Sequence, residues 1–331
     1  MAVTTTTQID PGKEFYFVER MLRTGRPFLL HDKFGRKLSF RSRNGMKIKL
    51  REYDDLAIAD APVAEGVTGA SVQQTKTDFE ATLQQYHNWV EITDVAEVVN
   101  VESVRTEVSM KLGINMNETI DAIYRDTLNG SSNAYRAAGV ATRVLVNSII
   151  LLNDLKRIDR TMFANKARYI TATTEGSQNA NTTPIRPAYF VLTHGDMKYD
   201  IETLAGYDSV ETYASQGKVY DSEIGRVGNF RFVLSQQAKV FPNEGAAVGA
   251  GTYISTGGAN NDVYTSLIFG QDAYAYCPLD ELTVQNIVKG FDSGGPENPV
   301  NNIMSIAWKA MTCLVVYHPL NMTRYESCAT A

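Results

Sequence analysis

Between Met46 and Arg51 every second residue is apolar, with Met46, Ile48 and Leu50 alternating with Lys47, Lys49 and Arg51. Successive side chains of a strand point to opposite faces, so the segment predicts a strand with one apolar and one basic face. Phe79, Ala81 and Leu83 alternate with Asp78, Glu80 and Thr82, and a return strand there sets carboxylates across from the basic row. The connection from Asp54 to Thr77 is far longer than the roughly 2–5 residues of an ordinary hairpin loop, and loops of that length are usually functional or disordered. Extended at about 3.3 Å per residue, each limb reaches roughly 50 Å, whereas a compact chain of this size has a radius of gyration of about 20 Å. The pattern predicts an arm that its own chain does not cover and whose partner is another molecule.

The period then changes. Thr93 and Asp94 carry helix-start chemistry, and Glu97, three residues past Asp94, completes an approximate capping box. Val101, Val104, Val108, Leu112, Met116, Ile120 and Ile123 recur every three or four residues, which predicts one helical face. Ending at Asn129-Gly130, such a helix is a spine of roughly 50 Å, which Gly113 is placed to bend. A second helix is expected after an Asn147-Ser148 cap, with Leu151, Leu152, Leu155, Ile158, Met162 and Phe163 inward. Polar Thr171 to Thr183 reads as a loop, Ala188 to Leu192 as a buried strand, and Asp196 as the cap of a short helix through Leu204. Phe230 to Leu234 reads as a strand reached through a tight Gly225-Arg226-Val227-Gly228 turn. Gly245 to Asn261, rich in glycine, small residues and asparagine, reads as a mobile surface loop. Val263 to Phe269, Ala273 to Cys277, Ile303 to Val316 and Met322 to Tyr325 resume the strand pattern. The first forty-odd residues are polar, Arg-rich and weakly periodic, with turn signals at Pro11-Gly12, Gly25-Arg26-Pro27 and Asn44-Gly45, and read as an extended arm.

Composition narrows the function classes. A chain of 331 residues that is 44% hydrophobic has enough apolar material for one large domain or two smaller ones. A formal charge of −5 without a long basic run argues against a protein that grips nucleic acid electrostatically, although a container for DNA tolerates it. Three cysteines, Cys277, Cys313 and Cys328, fall in no metal-ligand spacing, and their odd number points to reduced thiols in a cytosolic setting. The N-terminal MAVTTTTQIDPGKEFYF has no charged segment followed by an apolar stretch, so no secretory signal is expected. Val144 to Leu155 is the longest apolar run and is interrupted by Asn147, Ser148 and Asn153, too short for a bilayer span. The 17 tyrosines suit surfaces buried against a partner, and equally a core lining.

Catalytic motifs are missing. The sequence contains no GxxxxGK[ST], HExxH, CxxC or GxSxG. The Gly-x-Gly within Gly245 to Gly251 has no helix predicted after it to aim backbone N–H groups at a phosphate. His31, His87, His194 and His318 are far apart; His194-Gly195-Asp196 is the best of these for mutual orientation, and a strand end, turn and helix cap is the plainer reading. Lys47, Lys49 and Arg51 read either as a nucleic-acid stripe or, beside an acidic return strand, as a paired or solvated face.

In order along the chain, GMKIKLREYDDL, APVAEGVT, ATLQQYHNWVEITDVAE, AYFVLTHGDMKYDI, SEIGRVGNFRFV and SIAWKAMTCLVVYHPLNMTRYE resemble the strand out, arm tip, strand back with spine start, and later segments of a known family. It is the major capsid proteins of tailed double-stranded DNA phages, N-four-like group, with the Hong Kong 97-type fold. The match covers about residues 25 to 326, with EGVT and EIGRVGNFRFV its most specific parts; it departs at His87, where glycine is commoner, and at 245–261.

The resemblance implies an α+β capsid fold with an N-terminal arm at 1–45, an extended β-hairpin loop at 46–91, a peripheral domain at 92–187 and 302–331 with a spine helix about 94–129, and an axial domain at 188–301. It implies hexamers and pentamers tiling an icosahedral shell around double-stranded DNA, in a virion assembled in the host bacterial cytoplasm. No active site, cofactor, metal or membrane is implied; decoration, scaffolding and portal proteins are admitted as partners, with non-specific contact to the packaged DNA. Lys47, Lys49, Arg51, Asp78 and Glu80, with Glu65 at the tip, are then the candidate contacts between subunits. Two other readings stand beside it: an encapsulin-type bacterial compartment shell, and a soluble hydrolase using His194 and Asp196.

Overall fold

The computed structural model describes residues 30–38, 45–56, 58, 62, 65–66, 68–69, 71–100, 103–170, 187–212, 222–249, 253–278, 285–291 and 298–331. Most of the expected N-terminal arm, and the whole 171–183 loop, lie outside the described residues. The chain starts with β1 (Arg36–Lys37), the hairpin β2 (Lys47–Tyr53) and β3 (Lys76–Thr82), then β4 (Gln84–Thr93), α1 (Asp94–Val99) and α2 (Val104–Asn129). It continues through β5 (Ala134–Arg136), α3 (Leu152–Ala164), β6 (Tyr189–His194), α4 (Lys198–Glu202), β7 (Tyr207–Ser209), β8 (Glu223–Val227), β9 (Phe230–Ser235) and β10 (Val240–Phe241). It closes with β11 (Val263–Phe269), β12 (Tyr274–Pro278), β13 (Gln285–Lys289), β14 (Ile303–Val316) and β15 (Met322–Ser327).

Two sheets and the hairpin result. The larger sheet runs β5-β15-β11-β6-β9-β8-β7, with β10 also on β11. Both of its faces are covered, so β6 reads as an unbroken apolar run. Tyr189 and Val191 join Leu155, Ile158 and Met162 of α3 in one core, while Phe190 and Leu192 pack on the other face with Leu128, Phe34 and Phe269. The smaller sheet is built on β14, which pairs antiparallel with β4 along one edge and with β13 and β12 in succession along the other. Met304, Ile306, Trp308 and Ala310 alternate inward on β14, and the α2 stripe of Val104, Val108, Leu112, Met116 and Ile120 lies over them, as the period predicted.

The single spine of the sequence reading is two helices. Thr93 caps α1, its Oγ1 accepting from Ala96 N at 3.3 Å. The chain turns extended at Asn100 (φ −73, ψ 139), whose side chain donates to the Ala96 carbonyl at 2.8 Å. Glu97 does not close a box at its own helix start; its carboxylate accepts from Arg105 N at 3.1 Å and so caps the next helix. The remaining 26-residue α2 is about 39 Å long and passes Gly113 unbroken.

Other boundaries also move. α3 starts at Leu152, without a side-chain cap, because 146–148 is held extended: Val146 O accepts from Ala246 N and Ser148 O from Cys328 N. Phe163, expected inward, is 70% exposed, one position off the Leu155, Ile158, Met162 stripe. The tight turn is Gly228-Asn229, with Gly228 at φ +60; Gly225 to Val227 belongs to β8. A Cβ on Gly225 would come within 2.6 Å of the Asp208 carbonyl, so glycine there permits β7 to approach. The described part of 245–261 is tied to the body and is not a free loop. Asp262 accepts from Asn243 N at 2.7 Å and Thr256 N at 2.9 Å, and Ile254 N donates to Ala329 O; the asparagines and glycines make tight turns.

Two charge clusters inside the body are internally matched. Arg231 and Glu223 form a buried pair at 3.0 Å. Glu326, fully buried, faces Arg143 at 2.8 Å, Arg324 at 2.9 Å and Arg136 at 3.1 Å. Burial alone would raise its pKa, but the Arg143 hydrogen bond and the three positive charges outweigh burial and hold it below the usual carboxylate range. A depressed folded pKa contributes stability that is complete above the unfolded value of about 4.3 and is lost as pH falls through the folded value. Glu326→Gln is therefore expected to lower stability at neutral pH by about 3–5 kcal/mol and to flatten the acid side of the stability profile, measured by chemical denaturation across pH; an acid side as steep as in the parent chain would contradict this.

Candidate functional site

The arm folds in the register that its alternation predicts. Lys47 pairs with Thr82, Ile48 with Ala81, Lys49 with Glu80, Leu50 with Phe79 and Arg51 with Asp78. Lys49 Nζ lies 2.5 Å from Glu80, Lys47 Nζ 4.0 Å from the same carboxylate, and Arg51 Nε 2.9 Å from Asp78. Hydrogen bonds from Lys49 and Arg51 hold the Glu80 and Asp78 carboxyls below their ordinary range and raise the two bases in turn. The basic row is thus engaged within its own hairpin, which favours the paired face over a nucleic-acid stripe. All of these groups are solvated, and exposed ion pairs order side chains more than they stabilise a fold.

Asp54 closes the distal end of the ladder: its N–H donates to Thr75 O at 3.1 Å and its carboxylate accepts from Thr75 Oγ1 at 2.5 Å. Beyond that point apolar side chains face solvent. Ile58 is 90% exposed, and Tyr53, Leu56 and Val72 are exposed too. Glu65 sits exposed in a turn with Gly66.

The root behaves differently from expectation. Ile48, Leu50 and Phe79, with buried Ala81 and Leu83, pack against Ala275, Cys277, Cys313 and Val315 of the arm's own chain. The cause is continuity: β3 runs through Leu83 into β4, and β4 is fixed along β14 from Gln84 to Thr93. His318 Nδ1 lies 3.3 Å from Glu52, and Lys166 Nζ 3.0 Å from Asp55. The seven paired residues of each strand span about 23 Å, so the ladder is half the reach expected of each limb. The chain covers the root of the arm, and the described residues of the tip are exposed.

The histidines do not converge. His31 is buried with Nδ1 2.7 Å from Asp121 of α2, and the neighbouring Asp32 carboxyl is pushed up by burial. His87 is exposed on β4, opposite Lys309. His194 and Asp196 do meet, at 3.2 Å, but the cap is reversed from expectation: His194 Nδ1 accepts from Asp196 N at 3.3 Å, and the Asp196 carboxylate accepts from Tyr264 Oη at 2.8 Å. Among the described residues no serine, threonine or cysteine side chain hydrogen-bonds His194, so this corner has the chemistry of a helix cap. No group of three or more His, Cys, Asp or Glu among them is placed to hold a metal, and none of their helices is long and apolar enough to cross a membrane.

Sequence reasoning missed β13 and β8, the buried Glu326 and Arg231 clusters, and the meeting of Cys277 with Cys313. Neither strand alternates apolar and polar residues, Gln285-Asn286-Ile287-Val288-Lys289 and Glu223-Ile224-Gly225-Arg226-Val227, so the period gave no signal for them. Glu223-x-Gly-x-Val with Arg231 eight residues on gives no hint of burial until β8 and β9 pair.

Comparison of the sequence with family models and with curated proteins returned no match. Solved structures do match, end to end. The capsid of Ralstonia phage GP4 is 10% identical with a TM-score of 0.69, covering 100% of this chain and 99% of that one. The head structure of Helicobacter pylori bacteriophage KHP40 is 11% identical with a TM-score of 0.61, covering 99% and 98%. The capsid of the native GTA particle is 8% identical with a TM-score of 0.55, covering 99% and 100%. The chain has the α+β, Hong Kong 97-type capsid fold.

Leu50→Asp, which sets a carboxylate beneath the arm against Val315 and Cys313, is expected to detach the root. Amide exchange should then quicken by about tenfold or more across 47–53 and 76–82 while β11 and β15 stay protected. Unchanged exchange in the arm would show that the root packing does not hold it.

Proposed function

We propose that this chain is the major capsid protein of a tailed phage, assembling as hexamers and pentamers into an icosahedral shell around double-stranded DNA. The observation that carries the reading is the end-to-end match, at 95% or more of each chain, to a cyanophage capsid and to those of Ralstonia and Helicobacter phages. A shared enzyme or binding domain embedded in a different whole would leave part of one chain unmatched.

The arm fits the role by its surface. Exposed Lys–Glu and Arg–Asp pairs add little adhesion of their own, so a lasting contact needs area, on the order of the 1,600 Å² of a standard interface. Tyr53, Leu56, Ile58 and Val72 supply the apolar part of it, at about 25 cal/mol for each Å² removed from water. Lys47, Lys49, Arg51, Glu65, Asp78 and Glu80 then act as the polar rim that sets register with the adjacent subunit. The division into an N-terminal arm (1–45), extended loop (46–91), peripheral domain (92–187 and 302–331) and axial domain (188–301) belongs to the same reading. So do the virion location, assembly in the host cytoplasm, and partnership with decoration, scaffolding and portal proteins. A net charge of −5 suits a wall that encloses DNA without adsorbing it tightly.

Electron microscopy of the purified protein is expected to show closed shells. Reversing Lys47, Lys49 and Arg51 together to glutamate should cut shell yield by at least about tenfold while the melting temperature of the unassembled subunit moves by only a few degrees, since surface substitutions cost little. Equal damage to folding and assembly, or to neither, would show that the arm is not a clamp between subunits. Shells that protect a cargo protein and no DNA would move the assignment to a compartment.

A further inference from the structure

Beneath the arm root, two cysteines separated by 36 positions face each other. Cys277 of β12 and Cys313 of β14 are direct partners in an antiparallel ladder, so their side chains share a face. They lie in the same apolar cluster as Ala81 and Leu83, with Ile48, Leu50 and Phe79 of the arm packed on it. Directly opposed residues in such a ladder have Cα atoms about 4.5–5.5 Å apart, inside the roughly 4.4–6.8 Å that a disulfide spans. Both thiols are free, at 1% and 7% exposure. Cys328, the third cysteine, belongs to the separate core on the α3 side of the larger sheet.

We infer that Cys277 and Cys313 form a built-in oxidation site, closing a cross-strand disulfide that pins β12 to β14 under the arm when the protein meets a peroxide. The two sulfurs face each other, and their interaction pushes the Cys277 thiol up and the Cys313 thiol down. Cys313 is also the more exposed of the two. Its thiolate attacks one oxygen of hydrogen peroxide, the O–O bond breaks, and hydroxide leaves, giving a sulfenic acid. The Cys277 sulfur then attacks the Cys313 sulfur; the S–O bond breaks, and the departing hydroxyl takes up the Cys277 proton. In sum two thiols and one peroxide give one disulfide and two waters, with two electrons passed to the peroxide. The inference rests on the ladder and the cluster, and stands whether or not the chain builds a shell.

The test treats the full-length native protein with a small excess of hydrogen peroxide, digests it without reductant and maps linked peptides by mass spectrometry. The expected product is a Cys277–Cys313 pair two hydrogens lighter than its reduced parts, with Cys328 still free. Closing a loop of this length should raise the melting temperature by about 5 °C. That gain should vanish with reductant and in Cys277→Ser, Cys313→Ser and the milder Cys313→Ala, and persist in Cys328→Ser. Should a serine variant fail to fold, the peptide map and the reductant-reversible shift of the parent chain decide the matter alone. Native protein that keeps both thiols free, carries sulfinic acid at either without a link, or crosslinks only between copies or only after denaturation would overturn the inference.

Discussion

One strand, β14, imposes its two-residue period on everything around it. Its even-numbered positions point to one side: Met304, Ile306, Trp308 and Ala310 carry α2, and Thr312 meets the Tyr124 hydroxyl near the far end of that helix. Its odd-numbered positions point to the other: Cys313 and Val315 are buried beneath Ala81, Leu83 and the inner residues of the hairpin, with Met311 alongside. Spine and arm therefore sit on opposite faces of a single strand. A register slip of one residue would exchange the two faces, placing lysine and serine under the helix and tryptophan under the arm. Ten consecutive pairs with β4 make that slip costly, and because β4 continues from β3, they also fix where the arm begins.

The two regions handle charge in opposite ways. In the body, one cluster buries charge and matches it: one carboxylate, Glu326, serves three arginines, and Arg143 reaches on to Glu244 at 2.6 Å while lying over the Phe241 ring. Removing one member of such a cluster leaves the others unpaired in a poorly polarisable setting, which specifies a single arrangement. In the arm, charges of both signs stand in water, where their pairing orders the hairpin and adds little adhesion. The body is built to keep its shape, and the arm is built to be presented.

What could be read in advance followed from periodicity. The β2/β3 register and the α2 stripe were legible because each lies on a boundary between two environments, where alternation or a stripe records which side is wet; β11, buried along its whole length, and β14, covered on both faces, were legible as apolar runs of strand length. The break at Asn100 was not legible: Val98, Val99 and Val101 continue an apolar run through it, and the deciding contacts are the Asn100 cap and the reach of Glu97 to Arg105. The seat of the arm was hidden for a related reason. Ala275 and Cys277 read as ordinary core residues, and only the pairing of β12 with β14 shows that they and Val315 line one patch. Glu326 and Arg231 carry charge at positions where strand pattern predicts only inward or outward, so their burial appears only with their partners.

A root held on its own body, with the described tip residues exposed, makes a directional device. With β4 fixed to β14, with Glu52 beside His318 and Asp55 beside Lys166, the hairpin has little freedom to swing, so the conformational cost of presenting the tip is met within the subunit before any neighbour arrives. Association then loses less entropy than it would for a free loop of the same length, which is the general advantage of preorganisation. Exposed Leu56, Ile58 and Val72 are the converse half of the arrangement. On a monomer they are an unfavourable surface, and in a contact between copies they contribute the adhesion that the ion pairs do not. Under the proposed function, a contact of modest strength and fixed direction repeated over every copy of a closed shell suffices, because each subunit would be held by the arm it extends and by the arm it receives.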